Sequence, residues 1–199
     1  PENALATRLL LDLTTTMDPF LHTYARYPIE LVRGEGLRVQ DSEGRWYLDG
    51  IGGIAVMALG HGHPAVRAAV HAQVDRLMHT SNLYHLGPQR EIAGLLSGMY
   101  GGASVFLSNS GVEANEGAVK LARKYHWRRG DPRHEMIVLD HAFHGRTLMA
   151  LAMTPKPAYQ QGYEPLPEGV RVCTPEEAAA AVNERTAAVF VEPVQGEGG

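Results

Sequence analysis

The sequence predicts an α/β fold in which a mostly parallel sheet is flanked by helices, with an N-terminal segment that carries a short hairpin. Apolar runs with the length of buried strands alternate along the chain with stretches whose apolar residues recur at helical spacing. Strands that alternate with helices in this way are typical of parallel sheets. The predicted sheet strands are residues 105–107, 136–139, 170–173 and 187–191.

The remaining elements follow in order along the chain. Two short strands, 37–40 and 45–48, flank a turn and form the predicted hairpin. Pro64 and Pro175 suit the first positions of helices, and Gly101 ends another helix. The predicted helices span residues 64–77, 89–100, 112–126, 146–153 and 175–182. Residues 1–60 are expected to be the N-terminal segment, and residues 61–199 to contain the parallel sheet and its helices.

Composition excludes several functional classes. The net charge of −4 gives no basic excess for binding nucleic acid, so no nucleic-acid partner is expected. No apolar run approaches the roughly 20 residues that span a bilayer, and no signal-peptide pattern opens the chain, so no membrane partner is expected. The single cysteine, Cys173, cannot form an internal disulfide, which favours a reducing, cytoplasmic setting.

Residues 104–116 contain the most informative local pattern. An apolar run ends at a turn of small residues, and Ser110 and Glu113 then stand at the S-x-x-E spacing of a capping box. Backbone N–H groups at such a helix start favour a phosphate. A capped helix without a ligand has the same pattern, so both interpretations stay open from these residues alone.

Three candidate residues each follow a predicted strand of the sheet. They are Ser110, Phe143 and Glu192, and ligands in α/β sheets bind beyond the carboxyl ends of strands. We therefore expect these residues to lie along one edge of the sheet. His61 and His63 lie two residues apart on a glycine-rich turn with no third ligand nearby, so no metal site is predicted.

Several motifs in register resemble one enzyme family. They are SNSGVEANE at 108–116, HAFHGRT at 141–147 and VFVEPVQGEGG at 189–199. Together they resemble the class III (fold type I) aminotransferases, which use pyridoxal 5′-phosphate. GGIAVMALGHGHP at 52–64 and TSNLY at 80–84 are similar to the branch that acts on acetylornithine in arginine biosynthesis. The resemblance implies that residues 61–199 are the first, incomplete part of the fold type I large domain, which binds pyridoxal phosphate.

The resemblance also implies cofactor-binding residues. Ser110 and Gly111 would contact the phosphate, although Ser110 has helix capping as an equal alternative. Val112 would contribute its backbone N–H, so its side chain is expected to matter little. Phe143 would stack on the flat pyridine ring, and Glu192 would orient polar groups around it.

Other residues are implied in substrate binding. Arg146 matches the arginine that binds the substrate α-carboxylate, which a guanidinium holds through two hydrogen bonds. Glu197 matches a position that pairs with an arginine from the C-terminal region in related ω-aminotransferases. Tyr24 and Tyr84 are candidate aromatic residues of the substrate pocket.

No lysine of this chain matches the family's catalytic position. The lysine that forms the Schiff base is expected after Gly199, so the chain is expected to be the N-terminal half of an enzyme and inactive alone. The implied reaction moves an amino group from N-acetylornithine to 2-oxoglutarate in a homodimer. The alternatives are a related ω-aminotransferase, for ornithine, 4-aminobutyrate or a carrier-bound lysine precursor, and a non-catalytic module for phosphate binding or dimerisation.

Overall fold

The computed structural model describes residues 20, 21 and 23–199. The described residues divide into two compact units, one ending at Tyr84 and the other spanning His85–Gly199. This division by contacts lies later in the chain than the boundary expected at residue 60, and the predicted domain organisation stays a prediction. No helix in the described part of the chain is long and apolar enough to cross a bilayer.

The first unit contains a three-stranded antiparallel sheet. Strands β1 (Leu31–Glu35), β2 (Arg38–Asp41) and β3 (Trp46–Leu48) lie side by side in that order. The predicted hairpin corresponds to β2 and β3 and is confirmed, while β1 was not predicted. The buried carboxylate of Asp41 holds the turn by accepting hydrogen bonds from the backbone N–H of Arg45, at 2.8 Å, and from the Tyr47 hydroxyl, at 2.7 Å.

Two helical segments follow the hairpin in the first unit. The single turn α1 (Gly52–Ala55) is left-handed, with positive φ at all four residues, including Ile54 at 60°. Asp49 lies before it, accepts the backbone N–H of Gly52 at 2.9 Å, and pairs with Nε2 of His61 at 2.7 Å. Helix α2 (Pro64–Arg76) begins at the predicted proline, and its valines remain exposed.

The second unit contains the predicted parallel sheet. Strands β4 (Glu135–Leu139), β5 (Val170–Cys173) and β6 (Thr186–Phe190) are arranged in the order β5-β4-β6, and β4 is parallel to both neighbours. Five helices of this unit are described, and they are α3 (Gly87–Met99), α4 (Gly111–Arg128), α5 (Leu148–Ala152), α6 (Pro157–Gln160) and α7 (Pro175–Ala181).

Side chains of β4 are buried on both faces of the sheet. Met136 and Val138 pack with Val119 of α4 and with Met149 and Met153. On the other face, a second cluster joins strands β4 and β5 to helix α7. Its buried members are Ile137, Cys173 and Ala181. Because alternate residues of a strand point to opposite faces, a continuous apolar run suits a strand covered on both sides. The flanked parallel sheet is therefore confirmed.

Residues 105–107 are not the buried strand that the sequence predicted. They form no strand, and the Phe106 side chain is 73% exposed. Strand β4 already has a partner along each edge, and no other described strand runs beside residues 105–107. Without a partner strand, an apolar run has no ladder of hydrogen bonds to join.

Candidate cofactor and substrate site

Helix α4 begins at a capped and open N-terminus. The Ser110 side chain accepts the backbone N–H of Glu113 at 3.3 Å, as the capping spacing predicted. Hydrogen bonds from Asn109 and from Ser110 lower the pKa of Glu113 and hold it ionised. A Cβ built on Gly111 would meet no atom within 4 Å, so the first turn of this 18-residue helix is open to an approaching group.

The side chain of Val112 seats this helix start against the loop after β4. A Cβ built on Gly145 would fall 2.3 Å from Cγ2 of Val112 and 3.1 Å from Cβ of Ala150. Gly145 also has a φ of +131°, which favours glycine. The Val112 side chain therefore packs against this loop, because its methyl group occupies the space that the missing Cβ leaves. The role of Val112 at the phosphate stays a prediction.

Two polar side chains hold the peptide groups of His144. Nδ2 of Asn115, one turn into α4, donates to the His144 carbonyl oxygen at 2.7 Å. The His144 N–H donates to Oγ1 of Thr154 at 2.9 Å, and the Thr154 hydroxyl donates in turn to the Ala150 carbonyl oxygen at 2.9 Å. The Thr147 hydroxyl also bonds the Glu116 carboxylate of α4. The loop that carries Phe143 and Arg146 is thus fixed to the helix.

Phe143 and Glu192 meet at the carboxyl edge of the sheet. Phe143 follows β4 and Glu192 follows β6, and the backbone N–H of Phe143 donates to Oε2 of Glu192 at 2.8 Å. Cζ of Arg146 lies 5.8 Å from the centre of the Phe143 ring. The structure therefore brings these three predicted residues together, while the residues before Ser110 form no strand.

His144 is buried behind this edge. Its ring meets the Phe190 ring edge to face at 5.9 Å between centres, and its Nε2 has no hydrogen-bond partner among the described residues. Burial lowers the pKa of His144, although the Glu192 carboxylate acts in the opposite direction. The imidazole is therefore held neutral and packs as a core residue.

Glu197 pairs with a lysine in this structure. Nζ of Lys156 lies 2.9 Å from Oε2 of Glu197, and the Tyr159 hydroxyl lies 3.3 Å from the same oxygen. Glu197 and Lys156 line a cavity of about 70 Å³. The other lining residues are His141, Ala142, Phe143, Thr154, Pro155 and Gly198.

The loop that carries Glu197 is fastened to the end of β4. Nε2 of Gln195 donates to the Asp140 carbonyl oxygen at 2.8 Å. A Cβ built on Gly198 would fall 2.8 Å from Cβ of His141, so only glycine fits there without displacement. These contacts explain why a loop of exposed residues still presents its carboxylate to one cavity.

The residues present fit a flat, phosphorylated cofactor. The open turn at Gly111 provides backbone N–H groups at the positive end of a long helix, which suits a phosphate. Phe143 is half-buried beside the cavity and offers an aromatic face. The contact between Val112 and Gly145 joins these two parts within one unit.

The remaining candidates contribute nothing to this group within its own unit. Tyr24 and Tyr84 belong to the first unit and are exposed, and their place in a pocket stays a prediction. Lys120 and Lys124 lie on exposed positions of α4. In the described part of the chain, no group of three or more His, Cys, Asp or Glu side chains is arranged to hold a metal ion.

Sequence reasoning missed Asn115, Thr154 and Lys156. Asn115 lies three residues after Val112, so helical spacing places both on one side of α4 and was an available signal. Thr154 and Lys156 follow α5 in a proline-flanked loop. Nothing in their local sequence indicates that this loop returns to the sheet edge.

Comparison with known proteins shows which family the chain resembles. The family model for aminotransferase class-III matches residues 21–199. The chain is 49% identical over 183 residues to an acetylornithine aminotransferase from Myxococcus xanthus, covering 90% of this chain and 46% of that protein. It is 43% identical over 197 residues to a succinylornithine transaminase from Salmonella paratyphi A, covering 95% and 48%.

Solved structures show the same fold. An ornithine aminotransferase from Toxoplasma gondii, crystallised in the presence of oxidized glutathione with partial occupancy of PLP at its active site, matches with a TM-score of 0.84. It is 30% identical in sequence, and the match covers 99% of this chain and 50% of that one. The chain thus spans about half the length of the curated relatives it matches.

Proposed function

Because this chain belongs to the class III aminotransferases, a family that uses pyridoxal phosphate, we propose that the protein containing it moves an amino group from N-acetylornithine, or a similar ω-amino substrate, to 2-oxoglutarate. The observation that carries this proposal is the junction of the Gly111 helix start with the Phe143–Arg146 loop through Val112, Gly145 and Asn115. In support of the proposal, the open helix start, the aromatic ring of Phe143 and the guanidinium of Arg146 belong to one unit.

The cofactor would be held mainly by main-chain groups and one ring. Ser110, Gly111 and Val112 would bind the phosphate, with the Ser110 hydroxyl shared between the phosphate and the helix cap. Phe143 would cover one face of the ring, and Glu192 would support it by holding the Phe143 N–H. When bound, pyridoxal phosphate supplies the electron sink that transamination requires.

The substrate would be oriented by charge. Arg146 would hold the α-carboxylate with its planar guanidinium and so aim the reacting amine at the cofactor. Glu197 would help the pocket accept an ω-amino group in one half-reaction and an α-carboxylate in the other. Tyr24 is retained as a candidate aromatic residue for substrate binding.

We further propose that the 199-residue chain has no transaminase activity by itself. The chain has three lysines, Lys120, Lys124 and Lys156, and the proposal is that none of them takes the family's cofactor-holding position. Purified chain should give no turnover with N-acetylornithine and 2-oxoglutarate in the presence of pyridoxal phosphate. Turnover that depends on added cofactor would show that the proposal about the lysine is wrong.

Succinylornithine is the second candidate substrate. The match to a succinylornithine transaminase covers 95% of this chain. Its sequence identity is 43%, compared with 49% for the match to an acetylornithine aminotransferase. kcat/KM should be measured for the protein containing this chain with N-acetylornithine, N-succinylornithine, ornithine and 4-aminobutyrate. A preference for 4-aminobutyrate or free ornithine would contradict the acyl-ornithine assignment, and no turnover at all would favour a non-catalytic module.

The assembly is proposed to be a homodimer that acts in the cytoplasm, in amino-acid biosynthesis such as the arginine route. The support is family membership together with the single, buried Cys173, which suits a reducing compartment. Light scattering at assay concentration tests the assembly. An active monomer would contradict it.

A further inference from the structure

Thr147 stands at the N-cap of helix α5 but does not cap it. Its backbone has the extended conformation of an N-cap residue, with φ −68° and ψ 160°, yet its side chain makes no hydrogen bond to the first turn of the helix. The hydroxyl instead donates to the carboxylate of Glu116, 31 positions earlier in the chain. A threonine at an N-cap normally accepts a backbone N–H of its own helix, so this side chain serves another part of the molecule.

Two other described helices have a hydroxyl residue at the N-cap, and both use it. The Ser110 side chain accepts the backbone N–H of Glu113 at 3.3 Å. Thr174 has nearly the same backbone conformation as Thr147, with φ −70° and ψ 162°, and it forms a complete capping box with Glu177. The backbone therefore allows Thr147 to cap its own helix. Its bond to another helix is a departure from a local rule, and such departures occur mainly at functional sites.

This bond fixes the chain on the C-terminal side of Arg146. Gly145, the residue before Arg146, packs against Val112 of α4. Thr147, the residue after it, bonds Glu116 of the same helix. Val112 and Glu116 are four residues apart and therefore share one face of α4. Arg146 is thus held against that face through both of its neighbours in the chain.

The neighbouring aromatic ring is held in a different way, because the backbone N–H of Phe143 donates to Oε2 of Glu192 at 2.8 Å. We propose that Glu116 and Thr147 are positioning residues for Arg146, and that their bond orients the guanidinium for a substrate carboxylate. This inference rests on the proposed function. Neither positioning residue is among those that line the cavity beside Phe143. Their effect on the substrate is therefore indirect, and the cofactor face should not depend on it.

Equilibrium binding of unreactive ligands tests the proposal without any turnover. Valerate carries a carboxylate, and valeramide is its neutral amide with the same carbon chain. In the cofactor-loaded protein containing this chain, Thr147→Val should weaken valerate binding about fivefold, as expected when one hydrogen bond is lost. Thr147→Ser keeps the hydroxyl and should bind valerate almost as tightly as the wild type does. Valeramide binding should be the same in all three proteins. Calorimetric titration gives these values.

Two variants of Glu116 show whether the residues act through their bond. Glu116→Gln keeps an acceptor oxygen without the charge, and Glu116→Met removes both. Thr147→Val should weaken valerate binding in the Glu116→Gln protein but not further in the Glu116→Met protein, because the bond is already absent there. An equal loss in both backgrounds would overturn the proposal.

Thr174→Val is the matched control. Thr174 is an N-cap of the same residue type that does cap its helix, so its replacement should lower the melting temperature and leave valerate binding unchanged. Thr147→Val should weaken valerate binding without removing a cap. Equal losses of valerate binding in the two variants would assign the effect to general destabilisation and would contradict a positioning role.

Kinetics separate this proposal from the proposed function. Thr147→Val should raise KM for α-carboxylate substrates with little change in kcat, and the protein should retain pyridoxal phosphate with unchanged absorbance. Equal affinity of the wild type for valerate and valeramide, or loss of the cofactor from Thr147→Val, would overturn the role of the pair. An absence of turnover in the wild type, with the valerate preference and its loss in Thr147→Val intact, would instead contradict only the proposed function.

Discussion

Asn115 of helix α4 donates a 2.7 Å hydrogen bond to the carbonyl oxygen of His144, and this bond links the predicted phosphate turn to the loop that carries Phe143 and Arg146. The N–H of His144 is held as well, because it donates to Oγ1 of Thr154 at 2.9 Å. Because both the N–H and the carbonyl oxygen of His144 are hydrogen-bonded, the loop around this residue is restrained on both sides. Precise placement of binding groups depends on such supporting contacts.

Removing the amide donor of Asn115 should loosen this loop. Asn115→Asp keeps the size but loses the N–H and adds a negative charge facing a carbonyl oxygen. A hydrogen bond of this kind contributes about 1 kcal/mol, so we expect roughly a fivefold rise in KM for α-carboxylate substrates. Steady-state kinetics of the protein containing this chain measures it.

The control for Asn115 lies near the start of the same helix. Asn109→Asp changes an exposed side chain whose partner is Glu113, outside the link to His144. We expect a smaller effect on KM from this variant. Equal effects from both variants would mean that added charge, and not the lost bond, is responsible.

Gly145 should tolerate no side chain. Gly145→Ala would place a Cβ 2.3 Å from Cγ2 of Val112 at a φ of +131°. Overpacking and backbone strain together should lower the free energy of unfolding by about 2–4 kcal/mol. Denaturant unfolding followed by circular dichroism measures the change.

Two further variants show whether the cost of Gly145→Ala comes from overpacking or from backbone strain. Gly94→Ala lies in helix α3 with no atom within 4 Å of the new Cβ, and it should stabilise the protein by about 0.5–1 kcal/mol. Combining Gly145→Ala with Val112→Ala should recover part of the loss, since the nearest methyl group is then absent. No recovery in the double variant would assign the whole cost to the backbone.

The turn at Asp41 should make the first unit sensitive to acid. Burial opposes ionisation of Asp41, but hydrogen bonds from Tyr47 and Arg45 outweigh it and lower its pKa to about 2. The ionised form is therefore favoured in the folded state. Its contribution to stability is complete above the unfolded pKa of about 4 and is lost as the pH falls towards 2.

Unfolding experiments between pH 2 and pH 6 test this prediction. Asp41→Asn should be less stable than the wild type at pH 6, and the difference should narrow below pH 4. Glu43→Gln is the control, because Glu43 is an exposed residue of the same turn whose carboxylate pairs with Arg45 at 3.0 Å. A difference that does not change with pH would show that the charge of Asp41 is not what stabilises the turn.

The sequence contained enough information for most of the fold and for part of the candidate site. Buried strands such as β4 were predictable because a short apolar run bounded by polar residues is typical of a strand covered on both faces. Helix α4 was predictable from the spacing of Ser110 and Glu113. Phe143 and Glu192 could be grouped because both follow parallel strands, and their 2.8 Å contact confirms that grouping.

The remaining features depend on contacts between distant parts of the chain. Residues 105–107 have the composition of a strand, but strand formation needs a neighbour, and composition does not reveal which edge is available. The pairing of Lys156 with Glu197 joins residues 41 positions apart. Neither residue carries a local signal for its partner, since charged residues in loops are usually solvated.

Arg146 provides the sharpest test of the substrate site. Arg146→Lys keeps the positive charge but loses the planar fork that holds a carboxylate through two bonds. For α-carboxylate substrates we expect a cost of about 1.5–3 kcal/mol, or roughly 10- to 150-fold in kcat/KM. The affinity for pyridoxal phosphate, followed by its absorbance, should barely change, because Gly111, Val112 and Phe143 are the residues proposed to hold it. An amine substrate without an α-carboxylate is the control, and its rate should fall little. If both substrates lose activity equally, or if the variant no longer retains the cofactor, Arg146 supports the Phe143 loop instead of binding the carboxylate.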